Sequence, residues 1–392
     1  MTCAKDILEQ MPHLHKPAIT FLSSLLCAMS TFVGKANRTN LHRFDAPHPR
    51  TQARWQRRDF ISWLDFNCRI APLNPDSQVQ LFALDTSFVH KSGKHTYGKG
   101  PFYSSKYNRT LAGLEVSLLA RIDQDQRQAW ALDAQQSQPV KRGQSLMPQY
   151  VDQIRRCAHI LKPINPVVVV DGIYANKGFL DGVVDEVGWD VVGKLRRDAD
   201  LKYLFDGPQR QRGRRRKYNG KVYFNHTEGW TLLGHTDTGL PIYEFVAWHV
   251  TLKRKLKIVL IKTKGKRRGG HVLLFSTNVE HSGLEIYRWY KLRFQIEFLF
   301  RDAKQHAGLE DGQMRAKEAI KFHLNACFAT VNLMRKQCED ENWEQRSLAS
   351  LKRRNYNHAF AKHLFSRLGL HFDSYNNTPA FSDALNYGLL LP

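Results

Sequence analysis

A run of four valines in the stretch PVVVVDG, residues 166–172, restricts the fold of this chain more than any other feature. Valine favours β-strands, and a strand without a polar position has apolar surroundings on both faces. Such a strand lies inside a sheet whose two faces are both covered, usually by helices. The run therefore predicts a mixed α/β fold in which Asp171 directly follows a buried strand.

The segments around this strand carry patterns that fit the same fold class. Asp85 lies within the apolar-rich stretch QVQLFALDTSFVH, which predicts a strand. Further predicted elements are a strand at 113–122, an amphipathic helix at 145–162, a helix at 174–187 and a strand at 189–196. Strands that alternate with helices indicate a mixed sheet with helices on its faces.

Residues 205–280 have a different character, because strand patterns follow one another with glycine-bearing turns and without a helix between them. The predicted strands lie at 221–227, 230–236, 240–250, 255–265 and 271–278. This arrangement predicts an all-β insertion or subdomain.

The charge of the chain points to a polyanionic partner. Lys and Arg outnumber Asp and Glu by 59 to 36, a formal net charge of +23. Nucleic acid and an anionic membrane surface both fit such a surplus. The apolar run at 18–33 is short for a bilayer span and contains Ser and Thr, and no convincing cleavage pattern for a signal peptide follows it. We interpret it as a buried helix, which leaves nucleic acid as the better partner.

Three segments concentrate the positive charge. Residues 35–58 contain seven Lys/Arg and one acid, 207–221 contain seven and none, and 251–270 contain nine and none. Short basic helices in the first segment predict a helical DNA-binding unit, and the two β-region segments predict a phosphate-facing surface. The alternatives are a solvated basic face and a disordered loop. The candidate DNA contacts in the second segment are Arg212, Arg214, Arg215, Arg216 and Lys217.

The cysteines argue against a zinc site or a disulfide framework. Six cysteines are scattered along the chain and none forms a C-x-x-C pair. Reduced thiols in a cytoplasmic protein fit this spacing better.

The stretch YKLRFQIEFLFRDAK, residues 290–304, predicts a mostly apolar, buried helix with one polar stripe. Tyr290, Arg293, Glu297 and Lys304 lie at offsets 0, 3, 7 and 14, which share about 60° of arc on an α-helix, and Arg301 falls beside them. An Arg293–Glu297 ion pair within the helix is the simpler explanation for two of these residues.

Three carboxylates are predicted next to apolar structure: Asp85, Asp171 and Glu297. Hard divalent cations prefer oxygen ligands, and paired ions serve phosphodiester cleavage. We therefore expect Mg²⁺ or Mn²⁺, two ions per active site, with these three residues as ligands. The cationic residues beside Glu297 would then bind phosphates.

The segments LDTS, VVVVDGIYAN and YKLRFQIEFLFRDAK together resemble DDE transposases of bacterial insertion sequences. The narrower resemblance is to the insertion sequence four family, a cut-and-paste group with the signature Tyr-x2-Arg-x3-Glu-x6-Lys. Tyr290, Arg293, Glu297 and Lys304 match every position of that signature. Asp85 and Asp171 match the first and second acids of the triad.

The resemblance implies a ribonuclease H-like catalytic core interrupted by a β-rich insertion, with helical N-terminal and C-terminal regions. The expected boundaries are a DNA-binding region at 1–72, the core at 73–204 and 281–338, the insertion at 205–280 and the C-terminal region at 339–392. It also implies cleavage at transposon ends and strand transfer into target double-stranded DNA by a homodimer in a synaptic complex. Such a protein would be bacterial, cytoplasmic and associated with the nucleoid, with no membrane partner.

The same family stacks a flipped base on an aromatic residue of the insertion, for which Trp230 and Trp248 are the candidates. Two other functions remain open. One is a recruited DNA-binding protein or regulator that keeps the fold, and the other is a two-metal DNA endonuclease of defence or repair.

Overall fold

A computed structural model of the protein describes residues 2–263, 270–341, 343, 347–375 and 378–389. Part of the third basic segment, residues 264–269, therefore lies outside the described residues. In the part of the chain that the structure covers, no helix is both long enough and apolar enough to cross a bilayer.

The N-terminal region is helical, as its sequence predicts. Its helices are α1 (Thr2–Glu9), α2 (Lys16–Thr31), α3 (Arg38–His42), α4 (Pro49–Trp55) and α5 (Trp63–Ile70). The apolar run at 18–33 forms most of α2, and the side chains of Leu22, Leu25 and Leu26 are almost fully buried. The prediction of a buried helix is therefore confirmed.

A large mixed sheet forms the centre of the molecule. Its first strands are β1 (Gln80–His90), β2 (Gly100–Ser104), β3 (Arg109–Asp123), β4 (Gln128–Ser137), β5 (Pro166–Val169) and β6 (Asp190–Leu195). β1 pairs antiparallel with β3 and parallel with β5, and β5 pairs parallel with β6.

The valine run behaves as predicted. Val167 and Val169 belong to one hydrophobic cluster, and Val168 and Val170 belong to a second cluster on the other face of the sheet. All four side chains are at most 1% exposed. The strand is thus buried on both faces because each successive side chain enters a different core.

Helix α6 (Met147–Leu161) matches the prediction for 145–162, whereas the predicted helix at 174–187 is less regular. A 3₁₀ turn at Gly172–Tyr174 precedes the short helix α7 (Lys177–Leu180), and a π-helical segment at Asp181–Val187 follows it. Gly182 lies against Val151 of α6, where an added Cβ would approach within 2.6 Å. The irregular helix therefore packs tightly on α6.

The region predicted as a β insertion continues the central sheet instead of forming a sheet of its own. Its strands are β7 (Leu201–Leu204), β8 (Tyr218–Lys221), β9 (Thr231–His235), β10 (Pro241–His249), β11 (Arg254–Thr263) and β12 (Gly270–Ser276). Among the described residues the sheet order is β2-β3-β1-β5-β6-β12-β11-β10-β7-β8, with β4 beside β3 and β9 beside β10. The antiparallel pairing of β12 with β6 makes the connection.

One strand boundary in this region differs from the prediction. A strand was predicted at 221–227, but the observed strand β8 lies just before it and stops at Lys221. The Val222 N–H still donates to the Leu201 carbonyl at 2.9 Å, and the chain then turns, with the His226 N–H donating to the Tyr223 carbonyl at 3.1 Å.

The C-terminal part is again helical. Its helices are α8 (Gly283–Leu292), α9 (Gln295–His306), α10 (Lys317–Asp340), α11 (Leu348–Arg367) and α12 (Pro379–Leu385), with a 3₁₀ turn at Phe372–Ser374. The predicted single helix at 290–304 is thus wrong in detail, because it is divided between α8 and α9. At the junction the N–H groups of Ile296 and Glu297 donate three residues back, to Arg293 and Phe294, each at 3.1 Å. Such bonds tighten the turn and change the direction of the chain.

Helix α10 covers β4 through two buried asparagines. Asn325 bonds both backbone groups of Ala134 and Asn332 bonds both backbone groups of Ala131, at 2.8–3.0 Å. Asn332 also donates to the side chain of Asn67 in α5 at 3.0 Å. These amides satisfy strand groups that would otherwise be buried without partners.

We expect Asn332→Ala to lower the thermal midpoint of unfolding, because the N–H and C=O of Ala131 would lose their partners at a fully buried position. Lost buried hydrogen bonds of this kind cost about 1–3 kcal/mol. Thermal unfolding followed by circular dichroism measures the effect. The exposed Asn219 provides the matched control. An Asn332→Ala midpoint equal to that of Asn219→Ala would contradict the assigned role.

Candidate active site

The register of the sheet places Asp85 and Asp171 side by side. In the parallel pair β1–β5, Ala83 lies opposite Val169, so Asp85 and Asp171 each lie two residues further along neighbouring chains. Ala83 and Val169 contribute to the same hydrophobic cluster. Because side chains alternate along a strand, both carboxylates point toward that same face.

Helix α9 packs on this face and adds Glu297. Its buried residues Ile296, Leu299 and Phe300 join the cluster that contains Ala83 and Val169. Glu297 lies on the same turn as these buried residues, at the margin of the helix–sheet contact. Its side chain is therefore half-exposed. The structure thus gathers three carboxylates that are far apart in the sequence.

Arg293 joins two of the three acids. One guanidinium nitrogen donates to Asp85 Oδ2 at 3.1 Å and the other donates to Glu297 Oε1 at 2.8 Å. The Arg293 side chain is only 12% exposed. The Arg293–Glu297 ion pair that the sequence suggested is therefore present, with Arg293 at the junction that precedes α9, and the contact extends to β1.

Tyr290 completes the contact with the third acid. Its hydroxyl donates to Asp171 Oδ1 at 3.3 Å. Burial and the neighbouring Asp171 carboxylate raise the pKa of Tyr290 to about 12, so the hydroxyl keeps its proton at neutral pH. Tyr290 and Arg293 together hold all three acids.

The electrostatic environment of Asp85 is unusual for an aspartate. Burial raises the pKa of its carboxyl to about 6, and the nearby Asp171 and Glu297 carboxylates add to the rise. Arg293 and the Thr86 N–H, which donates to Asp85 Oδ1 at 2.8 Å, act in the opposite direction. For Arg293 itself, burial disfavours the charge, but the carboxylates outweigh burial and the pKa of the guanidinium rises.

The donor chemistry of this cluster fits a hard divalent cation, since all three candidates offer carboxylate oxygens. Within the described ranges, no three His, Cys, Asp or Glu side chains are grouped closely enough to hold a metal ion. Arg293 occupies the position between Asp85 and Glu297 and supplies the positive charge there. In this arrangement Asp85, Asp171 and Glu297 therefore offer suitable donor atoms, but Arg293 pairs with two of them and the three are not grouped closely enough to hold an ion.

The other residues of the predicted polar stripe lie apart from the acids. The Lys304 ammonium donates to the Phe88 carbonyl of β1 at 3.0 Å and pairs with Glu310 at 3.3 Å. The Arg301 side chain is 55% exposed, pairs with Asp302 at 3.3 Å and lies 4.6 Å from the centre of the Phe298 ring. Arg301 therefore does not balance the three acids.

An exposed aromatic surface lies next to Glu297 and was not predicted from the sequence. The helix was expected to be buried on most sides, but Phe294 is 48% exposed and contacts Phe298 edge-on at 5.1 Å. Phe294, Phe298 and Arg301 are spaced at i, i+4 and i+7, which is the signal that shows their shared face.

The candidate basic residues of the β region lie far from the acids. Arg212, Arg214, Arg215, Arg216 and Lys217 are exposed in the connection between β7 and β8. Six strand spacings separate β8 from β5, a distance of about 30 Å. Within this connection Arg216 packs on Phe205 at 4.7 Å and donates to the Tyr218 carbonyl at 3.1 Å.

The two tryptophan candidates for base stacking are occupied within the protein. Trp230 is 8% exposed, stacks on Phe245 at 4.2 Å and donates to the Tyr203 hydroxyl at 3.0 Å. Trp248 is half-buried and contacts Tyr218 at 5.8 Å. Trp230 therefore packs in the interior, and the identity of a base-stacking aromatic residue stays a prediction.

The sequence matches the model of a known protein family. The family model for the DDE superfamily endonuclease matches residues 26–255, which is more than half of the sequence. The chain belongs to this family. The matched residues of this DDE endonuclease include Asp85 and Asp171 and end before Glu297.

Comparison with solved structures finds similarity to a cryo-EM structure of the piggyBac transposase synaptic complex with hairpin DNA. The similarity has a TM-score of 0.42 at 11% identity and covers 84% of this chain and 61% of that chain. This DDE endonuclease thus spans less than two thirds of the length of that protein. No curated protein matches the sequence. The narrower resemblance to the insertion sequence four family stays a prediction.

The raised pKa of Asp85 predicts a pH-dependent effect of Asp85→Asn on stability. The folded-state pKa of about 6 exceeds the usual value of 3.8, so the ionised carboxylate destabilises the fold above pH 6 and the cost disappears as pH falls below 4. In metal-free buffer, Asp85→Asn is expected to stabilise the protein at pH 8, on the order of 1–3 kcal/mol, and to have little effect at pH 4.

Thermal unfolding at the two pH values, with chelator present, checks this expectation. Asp59→Asn is the control, because the Asp59 side chain is 71% exposed. A variant at position 85 that is less stable than the parent at pH 8 would show that the ionised form of Asp85 favours the fold.

Proposed function

We propose that this DDE endonuclease is a cut-and-paste transposase of the insertion sequence four type. In this proposal it cleaves double-stranded DNA at transposon ends and transfers the cut strand into target DNA. The observation that carries the proposal is the cluster in which Arg293 and Tyr290 contact Asp85, Glu297 and Asp171. All five residues were singled out in the sequence: Tyr290, Arg293 and Glu297 belong, with Lys304, to the family signature, and Asp85 and Asp171 match its first two acids.

Asp85, Asp171 and Glu297 are the proposed catalytic residues and the proposed ligands of two Mg²⁺ or Mn²⁺ ions. DDE enzymes generally use divalent metals, and bound ions would activate water and stabilise the leaving oxygen. The face on which the carboxylates lie is half-open, because Asp85 is 21% exposed and Glu297 is 41% exposed. A phosphodiester can therefore reach the acids, while apolar residues beneath them keep the carboxylates fixed.

Arg293 and Tyr290 are the proposed phosphate contacts. Both already point at the carboxylates, and a guanidinium released from Asp85 or Glu297 presents a pair of donors to a phosphate. The Tyr290 hydroxyl keeps its proton and can donate to a phosphate oxygen. The exposed ring of Phe294 adds an apolar surface for a nucleotide beside Glu297.

Lys304 and Arg301 have different proposed roles. Lys304 lies on α9 and its ammonium reaches the Phe88 carbonyl of β1, so we propose that it contacts DNA beyond the reacting phosphate, after leaving Glu310. Arg301, exposed on the outer side of α9, is proposed to bind the DNA backbone. The exposed cations Arg212, Arg214, Arg215, Arg216 and Lys217 are proposed to hold a more distant stretch of the duplex.

The larger organisation follows the same proposal. Residues 1–72 would bind DNA, 73–204 and 281–338 would form the catalytic core, 205–280 would extend its sheet, and 339–392 would form the C-terminal region. Two copies would act together in a synaptic complex, each on one transposon end.

Substitution of the acids tests the proposed catalytic roles. We expect Asp85→Asn, Asp171→Asn and Glu297→Gln each to reduce metal-dependent cleavage of terminal-repeat DNA by about a thousandfold or more, since each removes a proposed metal ligand. Gel assays of cleavage and of strand joining provide the measurement, and Asp59→Asn is the surface control. Parent-like cleavage by any of the three variants would remove that residue from the proposed site. Cleavage by the parent without strand joining would favour the endonuclease.

Arg293→Gln tests whether the guanidinium and the metal compete for the same carboxylates. We expect the variant to bind Mn²⁺ several-fold more tightly than the parent, because removal of the nearby positive charge leaves two carboxylates without a counter-charge. Isothermal titration calorimetry without DNA measures this property independently of activity. Arg301→Gln, two turns further along the chain in α9, provides the control. Weaker Mn²⁺ binding by Arg293→Gln would show that Arg293 supports the metal site instead of competing with it.

A further inference from the structure

A fourth basic segment lies between the first acid and the middle of β3. Residues 86–114 contain five Lys/Arg and no Asp or Glu. They form the end of β1, a loop, β2, a tight turn and the first part of β3. The positive charge is spread over a long segment, so its density is not unusual. The unusual feature is that the segment contains no acidic residue.

The cations of this segment divide into structural and free ones. Lys91 is directed at the Gly312 carbonyl, and Lys99 donates to the carbonyls of Ser92 and Gly93 at 3.0 and 3.3 Å. Lys94, Lys106 and Arg109 are exposed. Among the described residues, none of these three pairs with a carboxylate. They thus leave positive charge at the surface.

The hairpin formed by β2, the turn at 105–108 and the start of β3 also exposes two aromatic rings. Tyr103 is 59% exposed and Tyr107 is 52% exposed. The Lys106 ammonium lies 5.3 Å from the centre of the Tyr107 ring. Neither ring contributes to the core, so the fold does not explain them. Exposed aromatic rings beside unpaired cations are typical of surfaces that bind single-stranded nucleic acid.

The hairpin holds these rings in a defined position. The Tyr107 N–H donates to the Ser104 carbonyl at 3.2 Å, and Asn108 closes the turn with a φ of 49°. Tyr103 donates its hydroxyl proton to Asn108 Oδ1 at 2.5 Å. On β2, Phe102 and Ser104 are buried while Tyr103 between them is exposed, as alternation along a strand requires.

The strand register places Tyr103 on the same face of the sheet as the acids. Asp85 lies opposite Leu118 on β3, and Tyr103 lies opposite Thr110 on the same strand. Opposed residues share a face, and an even number of residues separates Leu118 from Thr110. The ring of Tyr103 and the carboxylate of Asp85 therefore face the same side.

The hairpin also projects past the end of β1, in the direction in which β1 runs after Asp85. β1 ends at His90, whereas β3 begins at Arg109, beyond the Gly113 that pairs with His90. Eight residues of β3 separate the level of Asp85 from that of Tyr103, a distance of about 27 Å. A DNA strand that left the acids in the direction of β1 would reach the hairpin after about eight nucleotides at the rise of duplex DNA, and after fewer if the unpaired strand is extended.

We propose that the β2–β3 hairpin binds an unpaired stretch of DNA on one side of the cleavage point. The rings of Tyr103 and Tyr107 stack on bases, and Lys106 and Arg109 bind the neighbouring phosphates. This inference rests on the proposed function in one respect, namely that the three acids cleave DNA. The charge and ring surface of the hairpin support it independently.

The test measures binding, in chelator, of the full chain to two fluorescently labelled DNA probes. One probe is a blunt duplex, and the other carries a single-stranded oligo-dT extension of about 12 nucleotides, long enough to reach from the acids to the hairpin. Extensions of both polarities are compared. We expect the parent to prefer one extended probe by about tenfold or more, and the double variant Tyr103→Ala/Tyr107→Ala to lose that preference.

Three further variants separate stacking from other effects. Tyr103→Phe/Tyr107→Phe keeps the rings and is expected to keep the preference. Lys106→Ala/Arg109→Ala is expected to weaken binding to the extended probe and to reduce the slope of its salt dependence by about 2. Tyr387→Ala is the control for an exposed tyrosine elsewhere, since Tyr387 is 82% exposed in the C-terminal region. Thermal unfolding verifies that each variant folds.

The proposal is overturned if the parent shows no preference for either extension. It is equally overturned if the double alanine variant loses the same affinity for both probes, which would assign the hairpin to duplex phosphates alone. Because chelator prevents cleavage, these outcomes are independent of catalysis. Absence of metal-dependent cleavage by a parent that retains the preference would sink the proposed function and leave the hairpin assignment intact.

Discussion

The contact of Arg293 with Asp85 and Glu297 links the two halves of the candidate site, and the rest of the site depends on it. Asp85 belongs to the sheet and Glu297 belongs to a helix more than two hundred residues later, so no local structure brings them together. Burial and like charge both disfavour an ionised carboxylate here. A buried guanidinium with two carboxylate partners supplies the opposite charge that three clustered acids require.

This arrangement also has a consequence for metal binding. A carboxylate that is paired with arginine is already neutralised, so a divalent ion gains less by binding it. A metal ion and a DNA phosphate have opposite charges, however, so together they would exchange the partners of this ion pair. The metal would bind the carboxylates while the phosphate would bind the guanidinium of Arg293. Binding of metal and of DNA would then favour each other through one side chain, which needs only to exchange one pair of anionic oxygens for another.

Several features of this site were predictable from the sequence because they depend on local patterns. The valine run required a strand buried on both faces, and Asp171 therefore had to lie at its end. Helical spacing put Tyr290, Arg293 and Glu297 on one side of the chain. In the structure Tyr290 contacts Asp171, and Arg293 contacts both Asp85 and Glu297. The side-by-side position of Asp85 and Asp171 depends on strand pairing, which no local pattern specifies.

The features that were not predicted are governed by partners distant in the sequence. Lys304 shares a face of α9 with Glu297, but it lies two turns, about 10 Å, further along the helix, where it meets the carbonyl of Phe88. The β region was expected to be separate because its strands follow one another without helices. It joins the core sheet because the edge of β6 is paired by β12, a partner about eighty residues away.

The continuity of the sheet determines how a long polyanion could lie on this protein. The β2–β3 hairpin and the β7–β8 connection lie at opposite ends of the strand order, with Asp85 and Asp171 between them. Nine strand spacings separate β2 from β8, about 43 Å, which corresponds to about 13 base pairs of duplex. A short oligonucleotide cannot contact both ends at once. Ligands that span the whole sheet would therefore gain contacts that shorter ones lack, and the acids would lie about one third of the way along the strand order, nearer to β2 than to β8.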